Sequence, residues 1–158
     1  MTPRIDYTFH AKELFEQYLK IDEMAKSGLP KALACLVTIR ASQLNGCAFC
    51  VDMHIKEAKK AGVNGLKLHH LTIWRESPLF NEKEKTLLLW VEALTHALDQ
   101  GVSDEMYQQA LNAYGEKVLS QLTFLVAVIN GWNRLGVAFQ NMPGSADKEF
   151  GLDDVSFE

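Results

Sequence analysis

Asn45-Gly46-Cys47-Ala48-Phe49-Cys50-Val51-Asp52-Met53-His54 is the stretch from which the rest of the chain can be read. It places a C-x-x-C pair and a histidine directly after Asn45-Gly46, a dipeptide that marks a break between helical patterns. If Cys47 opens a helix, a turn of about 100° per residue puts Cys50 about 60° back from it and His54 about 20° back. Both sulfurs and the imidazole then share one face. A helix N-terminus carries unpaired N–H groups and about half a positive charge, which favours thiolate over thiol. A nearby imidazole accepts the thiol proton when neutral and stabilises the anion when protonated. The spacing also lets the second sulfur attack a mixed intermediate on the first, so the pair reads as redox-active. Helix-dipole reasoning alone makes Cys47 the more acidic of the two.

The surrounding composition is that of a helical domain. The chain has 158 residues, 47% of them hydrophobic, enough for one domain (1–158) with a real core. No stretch approaches the roughly 20 apolar residues of a membrane span. The opening Met1-Thr2-Pro3-Arg4-Ile5-Asp6 lacks the apolar run of a secretory signal. Three cysteines with one closely spaced pair do not make a disulfide-stapled scaffold, so a cytoplasmic location is expected. A formal charge of −4 argues against nucleic acid or an anionic membrane as partner.

Outward from the motif, helices follow one another. From Ala11 to Lys26 the stripe Leu14, Tyr18, Ile21 and Ala25, widened by Phe15 and Leu19, has helical spacing, and Ser27-Gly28-Leu29-Pro30 ends it. Lys31 to Leu44 is a second helix, and Cys47 to Ala61 a third with a basic rear half. Gly62-Val63-Asn64 reads as a C-cap and a new N-cap before a short helix from Gly65 to Arg75. Asn81 and Glu84 form a capping box for a helix through Leu98. Ser103 caps a helix from Asp104 to Tyr114, and the very apolar 116–139 is another. A helix apolar nearly all round must be covered on several sides, for which a subunit interface is a natural means. The polar tail 141–158 is expected to be poorly ordered or laid across a neighbour. The fold class is all-α, a compact bundle of about six to seven helices.

Arg40-Ala41-Ser42-Gln43-Leu44-Asn45-Gly46 together with the stretch 47–54 resembles the core motif of the alkylhydroperoxidase D-like branch of the carboxymuconolactone decarboxylase family. Trp74-Arg75-Glu76-Ser77-Pro78 and Trp90-Val91-Glu92-Ala93-Leu94-Thr95 also resemble members of that branch, so the likeness covers most of 29–95. The resemblance implies helical trimers or hexamers, without a cofactor, that reduce hydroperoxides at the expense of a dithiol or a lipoylated protein, in antioxidant defence. It makes Cys50 the peroxidatic sulfur, Cys47 the resolving one and His54 the proton relay. Two positions depart from the family pattern: Cys35 stands where a glutamate is frequent, and Phe49 where some members have a histidine. The relay is thereby reduced to His54 unless Glu76 or Glu92 folds back into the site. Cys35 is read as a small core residue, with a third redox thiol as the alternative.

Two further functions compete. A structural or sensing zinc site would use Cys47, Cys50 and His54 as three of four ligands and lacks an obvious fourth unless Cys35 reaches it. The decarboxylase activity that names the wider family belongs to a branch without the C-x-x-C pair. Elsewhere, His69 and His70 read as solvated or core-edge residues, as do His10 and His96. Glu92, in an otherwise apolar helix, calls for a partner such as Arg40 or Arg75.

Overall fold

The turn residues divide the chain where the pattern places the breaks. The computed structural model describes residues 3–96 and 101–155, and among them every regular element is helical. Asp6 caps a one-turn helix α1 (Tyr7–His10), too short to show a period, by accepting the N–H groups of Thr8 and Phe9. Helix α2 (Lys12–Lys26) ends before Gly28, α3 (Lys31–Leu44) follows Pro30, and α4 (Ala48–Lys60) starts from Cys47. Asn64 caps α5 (Gly65–His69), Asn81 and Glu84 close the capping box of α6 (Glu82–Thr95), and Ser103 caps α7 (Asp104–Phe139). The expected extension of α6 to Leu98 lies outside the described residues. Gly115, at φ 71° and ψ 164°, bends α7, so the two expected helices are arms 104–114 and 116–139 of one element. A last turn, α8 (Asp147–Phe150), lies in the tail.

Three expectations are corrected. The helix foreseen from Gly65 to Arg75 is α-helical only to His69 and continues as a 3-10 turn over His70–Ile73. Leu68, Leu71, Trp74, Ser77 and Phe80 are all buried, a spacing of three that suits three residues per turn rather than 3.6. On α2, Leu14 and Ile21 are exposed. The Tyr18 hydroxyl donates to the Val128 carbonyl at 2.8 Å, which turns Phe15 and Tyr18 toward Trp132 of α7 instead. The tail lies across the chain's own α4. Lys56 pairs with both Asp52 and Asp147 at 2.7 Å, the Gly144 N–H donates to Asp52, and Leu152 is a buried apolar anchor in a polar segment.

Helix α3 is the axis of the bundle, packed against α4, α6 and α7. Leu36, Val37, Ile39 and Ala41 are fully enclosed, as are Leu122, Leu125, Val126 and Ile129 of α7. By length and composition α7 could cross a membrane. It packs against α2, α3, α4 and α6, as a core helix does, while Phe124 and Val137 face outward.

Glu92 ties α3, α6 and the 3-10 segment together. Its carboxylate accepts from Arg40 Nε (2.8 Å) and Nη2 (2.7 Å), from Trp74 Nε1 (2.7 Å) and from Arg75 Nη2 (2.5 Å). Burial pushes this carboxyl up, but the bonds from Arg75, Trp74 and Arg40 outweigh burial and hold it below the ordinary range. A depressed native pKa gives stability that is full above the unfolded value of about 4.5 and lost as pH falls through the native one. Glu92→Ala should therefore cost about 2–4 kcal/mol in urea unfolding at pH 7, because it leaves Arg40 nearly buried without a counter-charge. The gap between wild type and variant should narrow as pH falls below the ordinary carboxylate value of about 4.5.

Candidate functional site

The site begins where α3 gives way to α4. Gly46 takes φ 65°, reversing the chain in a single residue, and the Cys47 N–H donates to the Ser42 carbonyl at 3.1 Å. A polar network from α7 fixes this corner. Asn133 is fully buried; it donates to Ser42 Oγ and accepts from Asn45 Nδ2, both at 2.9 Å, while Arg134 donates to Asn45 Oδ1 at 2.6 Å. Each polar group sealed beneath the motif is thereby satisfied.

Cys47 is the N-cap of α4, and its sulfur accepts the Cys50 N–H at 3.3 Å. The two cysteines are joined as a disulfide, with Cα atoms 5.3 Å apart, and each is 2% exposed. Under them lies Gly136 of α7. A methyl group on Gly136 would stand 2.7 Å from Cys47 Sγ and 3.2 Å from Cys50 Sγ, so the sulfurs rest on bare backbone.

Cys50 and His54 also face a cavity of about 550 Å³, walled by α2, α4, Trp132 of α7 and the segments near both chain ends. Phe15, Leu19, Phe49, Met53 and Trp132 make much of it apolar. Cys47 does not line it. The two sulfurs are therefore inequivalent: Cys50 borders the cavity, whereas Cys47 sits behind it in the field of the helix N-terminus.

The sequence reading missed Glu57. His54 is 2% exposed, and its Nδ1 lies 2.6 Å from Glu57 Oε2, one turn further along α4. The i, i+3 relation was visible, but nothing in the sequence marks His54 as buried and in need of a partner. Burial pushes the Glu57 carboxyl up, yet the hydrogen bond and charge of His54 and the charge of Lys26 outweigh it and hold Glu57 below its usual range. The Nδ1 side of the imidazole is thus engaged by Glu57. Lys26, which also borders the cavity, pairs with Asp22 at 2.7 Å.

The remaining sequence candidates lie elsewhere. Cys35 is buried on α3 and does not line the cavity; burial, and then the nearby Glu57, pushes its thiol up to about 11. Glu76 is exposed and Glu92 is engaged by Arg40, Trp74 and Arg75, and neither lines the cavity. His70 Nδ1 lies 3.0 Å from Ser77 Oγ, and His69 is exposed. Among the described residues no three His, Cys, Asp or Glu side chains converge to hold a metal.

Residues 11–93 match the model of the carboxymuconolactone decarboxylase family. The chain is 32% identical over 146 residues to the uncharacterized protein YdfG of Bacillus subtilis, covering 92% of this chain and 99% of that one. It is 30% identical over 128 residues to the uncharacterized protein YnjA of Escherichia coli, covering 80% and 68%. Among solved structures it is similar to ATU0492 of Agrobacterium tumefaciens, a protein of unknown function provisionally termed the antioxidant defence protein AhpD. That pair has a TM-score of 0.87, 34% identity and coverage of 90% and 98%. The debrominase Bmp8 shares the fold, with a TM-score of 0.75 at 18% identity over 94% of this chain and 80% of that one.

Gly136→Ala should destabilise the oxidised protein by about 1–3 kcal/mol, because its methyl group meets two sulfurs held by a covalent bond. In a Cys47→Ala, Cys50→Ala background the same substitution should cost much less. Thermal unfolding of the four proteins measures that non-additivity.

Proposed function

The chain belongs to the carboxymuconolactone decarboxylase family, and on that premise we propose that it is a thiol-dependent peroxidase acting in antioxidant defence. The observation that carries this reading is the division of labour in the pair: Cys50 borders an apolar cavity beside His54, while Cys47 is bonded to it from behind.

In the reduced enzyme, neutral His54 takes the Cys50 proton at Nε2, and Glu57 steadies the imidazolium through Nδ1. The Cys50 thiolate attacks the terminal oxygen of ROOH. The O–O bond breaks, Cys50 becomes a sulfenic acid, and the departing alkoxide takes the proton from His54 to leave as ROH. Cys47, having lost its own proton to His54, attacks the Cys50 sulfur; hydroxide leaves, is protonated by His54 and departs as water. The resulting disulfide is the state present in the structure. An external dithiol, such as a dihydrolipoyl group on a partner protein, restores both thiols and is itself oxidised to a disulfide. ROOH and dithiol thus become ROH, water and disulfide. No step draws on a cofactor. Assembly as a homotrimer or hexamer and a cytoplasmic setting, where such thiols stay reduced, complete the proposal.

The first experiment is a thiol count on reduced, metal-free protein before and after a stoichiometric hydroperoxide. Two thiols should be lost per chain while Cys35, buried and of raised pKa, persists. Retention of all three would sink the reading. Cys50→Ser should abolish peroxide consumption, whereas Cys47→Ser should leave a sulfenate that dimedone traps. His54→Ala should slow turnover by roughly 10²-fold or more. Glu57→Gln should slow it less and alter the pH profile of kcat/KM, a change that mere loss of packing would not produce.

A further inference from the structure

Resting on that peroxidase reading, we propose that the cavity selects hydroperoxides by charge, admitting uncharged organic molecules and rejecting those that carry a carboxylate. Five carboxylates face the cavity: Asp6, Asp22, Glu23, Glu57 and Glu149. Among the described residues Lys26 is the one ammonium or guanidinium group that lines it, and it is occupied by Asp22 at 2.7 Å, with Glu57 also in its field. Lys148 neighbours Glu149 in sequence but is not part of the wall. Among the described residues no lining lysine or arginine therefore remains to receive an anionic head group. The wall between these charges is apolar, with Leu19, Phe49, Met53 and Trp132 offering contact to a hydrocarbon body.

The charges do two kinds of work. Asp22 and Glu57 are paired within the wall, so they cancel Lys26 and hold His54 rather than repel. Asp6, Glu23 and Glu149 are exposed at the rim, where they meet an incoming molecule first. Their repulsion is screened by salt, so the discrimination is a matter of several-fold rather than thousands-fold and weakens as ionic strength rises. Specificity of this kind comes from an unfavourable element built against the wrong ligand.

A hydroperoxide of linoleic acid and its methyl ester isolate the effect, since they share the reacting group and the chain and differ in the carboxylate alone. With a small dithiol as reductant, both kept below their micellar concentrations, kcat/KM for the ester should exceed that for the acid by about fivefold or more in 20 mM salt. The ratio should fall in 0.5 M salt, and the double variant Glu23→Gln, Glu149→Gln should narrow it at low salt. An acid consumed as fast as its ester, or a ratio that neither salt nor the variant moves, overturns the proposal. Binding decides the same question without turnover: the corresponding hydroxy acid and hydroxy ester, titrated against Trp132 fluorescence, should show the same order of affinity and salt dependence. If the reduced protein consumes no hydroperoxide at all, tert-butyl hydroperoxide included, the peroxidase reading fails. The order of affinities then decides charge selection by itself: tighter binding of the ester upholds it, and equal binding overturns it.

Discussion

The seating of two sulfurs on the bare backbone of Gly136 is the constraint on which the rest of the arrangement depends. It requires the start of α4 to lie within van der Waals reach of α7, and no side chain at position 136 would permit that. The α7 stripe is graded to suit: Leu125 and Ile129 build the core, Asn133 reaches the α3–α4 corner, and Gly136 leaves room for the disulfide. These positions are three or four residues apart, so one helix face passes from core to polar brace to open floor within four turns. The bend at Gly115 lets the 104–114 arm pack separately, where the Tyr114 hydroxyl donates to the Lys83 carbonyl near the start of α6. Gly46 on one side and Gly136 on the other thus serve one end, a short rigid approach of the motif to its support.

Two carboxylates show how the same scaffold separates stability from reactivity. Glu92 and Glu57 are both held below the ordinary pKa range by neighbours that outweigh burial. Glu92 is gripped by two guanidinium groups and an indole N–H, from α3 and from the turn that follows the 3-10 segment, which leaves little capacity for exchange. Glu57 has one short bond, to an imidazole that can change its own protonation, and it borders a cavity. The first is a clamp between elements. The second suits a proton relay, because its partner can gain or lose charge without leaving it buried and alone.

Much of this was legible in the sequence, and what was not has physical reasons. Capping signals at Asn64, Asn81 and Ser103 mark their helices because each satisfies backbone N–H groups locally, with no help from tertiary contacts. Cys50 and His54 come together for the same local reason, four residues apart on α4, whereas Cys47 does not line the cavity they border. The pairing of Glu92 with Arg40 and Arg75 followed from the cost of burying a lone charge. Glu57 escaped notice because its role depends on the burial of His54, a tertiary fact. On α2 the choice between the Leu14 and Phe15 edges of a broad stripe turned on one bond from Tyr18 to α7. The spacing of three from Leu68 to Phe80 is present in the sequence and suits three residues per turn rather than 3.6. The tail is polar in composition, yet Leu152 and a lysine between two aspartates hold it down.

The inequivalence of the two sulfurs also reconciles two criteria that point to different cysteines. Acidity favours Cys47, whose sulfur already accepts a backbone N–H at the positive end of α4. Access and proton transfer favour Cys50, which meets the cavity beside His54. A thiol of lower pKa is the weaker nucleophile per thiolate but the better leaving group. In the proposed cycle Cys50, the sulfur that meets the cavity, therefore attacks the peroxide with its proton handled by His54. In that proposed cycle a dithiol that enters from the same cavity also meets Cys50 and expels Cys47. The departing thiolate then falls into the one place in the site where backbone N–H groups stabilise it. One helix terminus thereby serves the return half of the cycle, and one histidine with its carboxylate serves the forward half.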